Sequence, residues 1–459
     1  MIGVLERASI LLKELVVNYE DTIKDSAADE YAGDIGRYPY LQIGNLVIQT
    51  TETSKIVLYN DQFLPKIEVF FKDPTLKLID PLFPIDDEII SLFIKSSSEM
   101  LMPVRMDFKI TEFNVVKGSS DMNYVLVGLL NVDYLYFQEY SSYSNSSYGL
   151  LREIAKKANL GFASNIDDTN DKMSWINPAN TNLEFIQDIV NCSYKSDNSF
   201  MLSYVDFYYN LNYVDIETAL NEDITDMTGI KYDANFTKVK EEDSVKLVLT
   251  DHPDKINSNL YIDKYNLINN TTKINLDIGY NKYITYYDKN ENIEYEYVIE
   301  SISSPSNDVV TKGRIGELSE VYKHSMDSSF LGNLDSDNVH SNYLYAKVQN
   351  EQNLDFLQKI RMKVSLGSAN FNLYRFQKIE VRLYKLKELD SEEVLVNVDK
   401  DTIQKGATAD WDERKLNQRL SGEWLITAIN YTFNKIGGFV QDVTLVRREL
   451  GFNENDYKS

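Results

Sequence analysis

The spacing of apolar and polar residues predicts a short helical start followed by a run of strands. Residues 2–25 carry apolar side chains at helical spacing, which predicts an amphipathic helix that packs on its own protein or in a partner's groove. From residue 40 onward the spacing becomes that of strands, most clearly in the alternating segment Lys66–Asp73. The other strands predicted here are residues 40–49, 86–94, 105–116 and 123–137. Short strands at this spacing are typical of an antiparallel barrel or sandwich.

A helical connector is predicted next, over residues 146–215. Its first helix begins at Ser146, places Leu151, Ile154 and Ala155 on one face, and is expected to end at Gly161. The polar loop 165–171 follows. It lacks the central Gly and closing Glu of a calcium-binding EF-hand loop, so we expect a solvated turn there.

A second connector helix is predicted from a capping box, in which Thr181 and Glu184 each satisfy a free backbone N–H. Residues 200–208 then form a predicted aromatic strand. The face that this helix should bury consists of Phe185, Ile186, Ile189 and Val190.

The second half of the chain alternates again, and strands are predicted at residues 244–249, 273–278, 283–287 and 293–302. Ser341 can cap a helix that reaches about Phe356. The predicted closing elements are strands at 360–367 and 379–383 and a hairpin at 420–448 that turns at 435–438.

Composition supports a soluble, β-rich protein. The 459 residues suffice for about three domains, and the 32 Tyr and 20 Phe favour strands. Because the formal net charge is −24, we do not expect the protein to bind DNA or an anionic membrane stably. Cys192 is the single cysteine, so no internal disulfide is possible, and we expect it to be a small core residue.

Signatures of catalysis and of metal or cofactor binding are absent from the sequence. His252, His324 and His340 are far apart and lack zinc-site spacing, so we expect them in solvated loops. Residues 313–316 lack the length and the Lys of a phosphate loop. The pair Glu294 and Glu296 could imitate a glycosidase pair, but such pairs are common among 71 acidic residues. We therefore expect a non-enzyme with no catalytic, metal or cofactor residues, and the binding residues stay unknown.

Three parts of the chain resemble baseplate hub proteins, the central tail proteins of contractile-tailed phages, which are related to the first part of type VI secretion spike proteins. The connector carries the resemblance in residues 150–155, 160–161, 175, 181–186 and 200–215. Residues 86–94, preceded by Asp73 and Asp80, are similar to the first barrel of hub proteins, and residues 355–383 and 420–448 look like the last part of the second. Hub proteins often carry a Gly in the turn before the 379–383 strand, where this chain has Phe376.

The resemblance implies a mainly β fold with α connectors, in which a helix-containing module joins two similar antiparallel β-barrel domains. The expected divisions are an N-terminal helix and arm (1–36), a first barrel (37–140), the connector (141–222), second-barrel strands with a β insertion (223–340), and the completion of that barrel (341–459).

The resemblance also implies a homotrimeric ring of pseudo-sixfold symmetry that adapts a hexameric tail tube to a trimeric central spike. The implied partners are the spike or tail lysozyme protein, tube proteins and other baseplate proteins. DNA would only pass through the ring, and the protein would not associate stably with a membrane. It would assemble in the host cytoplasm and become part of the virion tail.

Two other function classes remain open on the sequence. The first is a β-rich tail adhesin or carbohydrate-binding protein with an exposed aromatic platform, and the second is a cell-wall-degrading enzyme. The sequence leaves open the host and tail type, the contact loops, and the role of residues 250–340.

Overall fold

A computed structural model describes most of the chain and supports a mainly β architecture. The described residues are 39–43, 46–48, 53–73, 88–94, 104–117, 122–197, 199–222, 226–227, 230–232, 238–241, 245–246, 248–252, 260–278, 281–288, 293–300, 322–326, 339–367, 369–370, 373–384, 416–434 and 438–448. Over these residues strands dominate and helices connect them, which confirms the predicted fold class at this level. The predicted N-terminal helix at residues 2–25, Asp80 and residues 313–316 lie outside the described residues.

The first β part is an antiparallel sheet. Its strands are β1 (Tyr40–Ile43), β2 (Leu46–Ile48), β3 (Thr53–Asn60), β4 (Lys66–Asp73), β5 (Ile89–Ile94), β6 (Val104–Lys117) and β7 (Met122–Leu130). In this sheet β4 pairs with the later strand β7, and β1 pairs with β5. Burial alternates along β5 and β7, so one face of each packs into the core. The predicted strand at 123–137 is too long, because the chain leaves β7 at Leu130 and forms a 3-10 helix at Asp133–Tyr136.

The connector combines short strands with the two expected helices. Its elements are β8 (Gln138–Asn145), α1 (Ser147–Lys157), β9 (Gly161–Ser164), β10 (Met173–Thr181), α2 (Asn182–Asn191), β11 (Met201–Val205), β12 (Asn210–Asp215) and α3 (Ile216–Asn221). The predicted strand at 200–208 is shorter than expected, because the chain turns at residues 206–209 and returns as β12.

Gly161 does not end the first helix, which corrects the sequence prediction. The helix stops at Lys157, and Asn159 takes the left-handed conformation with φ 58° while Leu160 N donates to Ala155 O. Gly161 instead begins β9, where a Cβ atom would collide with the side chain of Asn210 on the paired strand β12. Its small size permits this close approach.

Short paired strands and a helix occupy the next stretch. The elements are β13 (Asp226–Met227), β14 (Ile230–Tyr232), β15 (Lys238–Glu241), β16 (Val245–Lys246), β17 (Val248–Thr250), β18 (Ile262–Asn269), α4 (Thr271–Ile278), β19 (Asn281–Asp288), β20 (Ile293–Glu300) and β21 (Tyr322–Met326). The hairpin of β19 and β20 is confirmed. The predicted strand at 273–278 is wrong, since these residues form α4, whose first turn includes Ile274 N donating to Asn270 O.

The C-terminal elements follow the predicted order. They are α5 (Tyr343–Leu357), β22 (Ile360–Leu366), β23 (Lys378–Arg382), β24 (Gly422–Asn434) and β25 (Gly438–Arg447). The helix and the two strands that follow it are thus confirmed within a few residues of their predicted bounds, and so is the closing hairpin of β24 and β25.

Strand β24 joins both β parts in one sheet of order β18-β22-β25-β24-β3-β4-β7-β6-β5-β1-β2. Its first residues, Gly422 to Leu425, pair with β23, and its last residues, Ile429 to Asn434, pair with β3. The change of partner coincides with a register shift between Ile426 and Ala428 in the β24–β25 pairing. Strand β23 also pairs with β17, and a bridge between Thr250 and Tyr261 brings β17 close to the start of β18.

Candidate assembly surface

The two connector helices are fixed by caps and by their apolar faces. Ser146 Oγ accepts from Gly149 N at 3.2 Å at the start of α1. At the start of α2, Thr181 and Glu184 form the predicted capping box, and the hydrogen bonds from Thr181 lower the pKa of Glu184. The predicted buried face of α2 is also confirmed, because Phe185, Ile186, Ile189 and Val190 are all buried. The helices therefore form a rigid support for the strands that pack on them.

The loop at 165–171 exposes residues 167, 168 and 170, as a solvated turn would, but it is built around a buried carboxylate that the sequence did not indicate. Asp171 is 0% exposed and accepts hydrogen bonds from Ser147 N at 2.9 Å, Thr169 Oγ1 at 2.7 Å and Tyr194 N at 2.9 Å. Only part of the loop, such as Asp167, faces solvent. The carboxylate ties the N-terminus of α1 to the segment after α2, which suits its charge because helix N-termini favour anions.

His340 also departs from the expectation of a solvated loop. It is 8% exposed, its Nε2 lies 3.1 Å from Cys192 O, and its ring packs near Trp175 and Tyr343. Burial lowers the pKa of His340 below its ordinary value. His252 is half-buried and lies 5.2 Å from the Tyr384 ring, between centroids. Cys192 is buried as predicted.

These polar residues serve packing rather than forming a recognisable reaction centre. Within the described ranges, no group of three or more His, Cys, Asp and Glu side chains is arranged to hold a metal ion. Every helix in the described part of the chain is too short or too polar to span a lipid bilayer. The side chains of Glu294 and Glu296 on β20 lie outside the described residues.

An exposed apolar surface stands out on the other side of the connector. Strands β8 and β10 form a two-stranded ribbon. Its inner face carries the buried Trp175 and the partly buried Tyr143, whose ring stacks on Phe185 of α2. On the outer face Tyr140 is 87% exposed and Ile176 is 67% exposed. We call the exposed residues of the ribbon and of the segment just before it the outer ribbon face, which consists of Tyr136, Phe137, Tyr140, Ile176 and Pro178.

The geometry of the outer ribbon face is that of a prepared contact surface. Tyr140 lies directly opposite Pro178, and Ile176 lies opposite Ser142. The ribbon is anchored by Trp175 Nε1, which donates to Asn145 O at 3.0 Å, and by Asn182 Nδ2, which donates to Tyr134 O at 3.0 Å. Tyr140, Ile176 and Pro178 are neighbours on the outer face of the ribbon. Because neighbouring exposed apolar side chains commonly mark interaction sites, we take the outer ribbon face as the candidate functional site.

Sequence reasoning left the binding residues unknown and missed this face. The sequence did carry a sign of exposed tyrosines, since two serines separate Tyr140 from Tyr143. In the structure burial alternates along this strand, so these two tyrosines lie on opposite faces. The alternation does not reveal which tyrosine faces inward, because that depends on where α2 packs.

Comparisons with known proteins agree on the fold. No protein-family model and no curated protein matches the chain. Among solved structures, the 43 kDa tail protein of prophage MuSo2 from Shewanella oneidensis matches with a TM-score of 0.50 at 10% identity, over 89% of this chain and 98% of that chain. The tail protein from Neisseria meningitidis matches with a TM-score of 0.49 at 9% identity, over 89% and 96%. A type VI secretion system component of E. coli, described as similar in structure to T4 bacteriophage tail proteins, matches with a TM-score of 0.41 at 9% identity, over 90% and 77%.

The fold of this chain is thus similar to that of a phage tail protein. The Shewanella match covers nearly the whole of both chains, so the likeness concerns the full architecture and not one motif. The resemblance to baseplate hub proteins seen in the sequence is confirmed at the level of the fold.

Proposed function

We propose that the protein is a structural component of a phage tail and occupies the baseplate hub position. The observation that carries this proposal is the fold shared with a prophage tail protein over 89% of the chain. The outer ribbon face adds an exposed apolar surface suited to permanent assembly. In this role the chain is not an enzyme, and it works as part of the virion tail after assembly in the host cytoplasm.

The proposed assembly is a homotrimer in which each chain supplies two similar barrels. Support comes from the strand order β18-β22-β25-β24-β23-β17 in the second part, whose ends approach at the Thr250–Tyr261 bridge. In the first part it comes from the antiparallel order β3-β4-β7-β6-β5-β1-β2. Three such chains would present a ring of near-sixfold symmetry, which matches a hexameric tube on one side and a trimeric spike on the other. The proposed divisions of the chain remain 1–36, 37–140, 141–222, 223–340 and 341–459.

Passage of DNA through this ring is part of the proposal. The formal net charge of −24 supports a bore lined by carboxylates, in which phosphates find few cationic groups to bind. An acidic outer surface that only keeps the protein soluble is the alternative. An experimental trimer structure with a strongly positive bore would contradict the proposed passage.

The mass in solution tests the assembly. We expect the full chain to have three times the chain mass by light scattering, alone or with a tail spike protein. A double variant, Tyr140→Ser with Ile176→Ser, should shift the mass toward the monomer at the same concentration, because apolar burial at the contact is lost. Both side chains are exposed, so we expect the variant to fold.

A matched control removes exposed apolar side chains elsewhere. The double variant Tyr265→Ser with Val116→Ser changes residues that are 42% and 58% exposed, and it should keep the trimer mass. A wild-type chain that stays monomeric with and without spike protein would contradict the hub proposal. If both double variants kept the trimer mass, the trimer would stand, but the outer ribbon face would not be one of its contacts.

A carbohydrate-binding tail adhesin is the second candidate, and one observation favours it. The outer ribbon face exposes the aromatic rings of Tyr136, Phe137 and Tyr140, and exposed aromatic rings are what a sugar-binding protein requires. A glycan-binding screen separates the two functions, since the adhesin reading requires saturable binding that is lost in Tyr140→Ser.

A further inference from the structure

A cavity of about 230 Å³ lies where three parts of the chain meet. The end of β3, the turn between β11 and β12, and the segment before β23 all contribute to its wall, and Tyr431 of β24 completes it. Much of the lining is apolar or aromatic and includes Met106, Phe207 and Leu373. Its volume is below that of the roughly 300–1,000 Å³ sites that bind drug-sized ligands, so a ligand would have to be small.

Arg375 places a buried cation in this wall. Its side chain is held by two backbone carbonyls, with Nε donating to Thr427 O at 2.8 Å and Nη1 donating to Gln62 O at 2.6 Å. The guanidinium also lies 4.4 Å from the Tyr204 ring centroid. The residue is only 9% exposed, and burial lowers the pKa of Arg375 to about 10.

The charge of Arg375 has no carboxylate within ion-pair distance in the described part of the chain, although Asp61 acts on it from farther away and raises its pKa. Within the described part of the chain, no Asp or Glu forms an ion pair with this guanidinium, and its hydrogen bonds go to neutral oxygens. Buried cations are ordinarily paired, because the lost hydration is otherwise not replaced. The wall therefore presents a positive group that favours an anion.

Asp206, which also lines the cavity, is engaged elsewhere. Its carboxylate accepts from the backbone N–H groups of Tyr208 and Asn210 and from the side-chain amides of Asn210 and Asn212. Burial raises the pKa of Asp206, and the hydrogen bonds from Asn210, Asn212 and Tyr208 lower it by less. Asp206 thus shapes the turn of the cavity wall, and its hydrogen bonds go to this turn and not to Arg375.

Asn60 supplies a second unsatisfied group on the same wall. It is 4% exposed, and its Oδ1 is buried without a hydrogen-bond partner. A buried acceptor without a donor is costly, so this end of the cavity favours an N–H or O–H group of a ligand. The opposite, aromatic side favours an apolar one.

We propose that this cavity binds a small monocarboxylic acid, with the carboxylate against Arg375 and the apolar body against Phe207, Leu373 and Tyr431. A planar guanidinium matches a carboxylate in shape and charge, and the predominantly apolar lining is less suited to a strongly hydrated phosphate. The site is independent of the assembly proposed above, because none of its residues belongs to the outer ribbon face.

Calorimetric titration of the full-length protein tests the site with benzoate, its neutral isostere benzamide, and inorganic phosphate. We expect saturable, one-to-one binding of benzoate, at least tenfold weaker binding of benzamide, and no saturable binding of phosphate. Arg375→Gln should weaken benzoate binding at least tenfold, whereas Arg152→Gln, the same change at an exposed position, should leave it unchanged.

The wild-type comparison of benzoate with benzamide decides the proposal even where Arg375→Gln fails to fold. Absent benzoate binding, equal affinity for benzamide, or phosphate binding as tight as that of benzoate would overturn it. So would a folded Arg375→Gln variant that binds benzoate like the wild type.

Discussion

The buried carboxylate of Asp171 offers the sharpest test of how the connector is held together. Replacing it by Asn keeps the size and one acceptor oxygen, which can still accept from Ser147 N and Thr169 Oγ1. The new amide group, however, faces the Tyr194 N–H, so two donors meet in a buried site. Asp171→Asn therefore changes charge and hydrogen bonding with little change of shape.

The expected loss can be worked out from these contacts. A hydrogen bond to a charged group contributes about 1.5–3 kcal/mol, and a buried donor left unsatisfied costs about 1–3 kcal/mol more. The loss of the anion at the N-terminus of α1 adds about 0.3–1 kcal/mol. Since such contributions are not additive, we expect Asp171→Asn to lower the free energy of unfolding by about 4 kcal/mol.

Urea denaturation followed by tryptophan fluorescence measures this loss. Buried Trp175 reports on the connector, and buried Trp424 reports on β24. With a slope of about 2 kcal/mol per molar urea, the midpoint of the connector transition should fall by roughly 2 M. Asp167→Asn makes the same chemical change at an exposed position of the same loop and should leave the midpoint unchanged. Equal midpoints for the two variants would refute the structural role of the Asp171 carboxylate.

Two further predictions concern a strained residue and a buried histidine. Phe376 is 6% exposed and has φ 61°, so Phe376→Ala should lower the free energy of unfolding, measured by urea denaturation, by about 3–5 kcal/mol. Phe376→Gly should lower it by about 1 kcal/mol less, because glycine relieves the left-handed strain. A glycine variant no more stable than the alanine variant would contradict this. His340 has a folded pKa below its ordinary 6.5, so the unfolded chain binds that proton more readily and stability should decline as pH falls from about 6.5 to 5. In His340→Gln the melting temperature should depend less on pH across this range. An unchanged dependence on pH would argue against the buried neutral imidazole.

The sequence predicted the elements that rest on local chemistry. The capping box at Thr181 and the alternation of Lys66–Asp73 depend on residues close in the chain, and both are confirmed. The strand predicted at 273–278 was wrong because Ile274, Leu276 and Ile278 alternate with polar residues as in a strand, although the segment is helical. A short apolar run does not distinguish a helix from a strand.

Features made by distant residues could not be predicted in this way. Arg375 obtains a hydrogen-bond partner 313 positions away, and the outer ribbon face depends on where α2 packs. The turn at Phe376 shows an intermediate case. The missing glycine was visible in the sequence, but only the structure shows that Phe376 adopts the left-handed conformation while packing 5.6 Å from Tyr204, between ring centroids.

The shared strand β24 has a consequence for how the protein is made. Asn430, which pairs with the β3 region, follows Asn60 by 370 positions, so a ribosome working at 5–20 residues per second needs about 20 to 70 s to supply it. Throughout that interval the nascent chain leaves the β3 edge without its native neighbour, and such edges readily pair with other chains. Production of soluble protein should therefore respond to chaperone supply and to translation speed more than the chain's ordinary composition suggests.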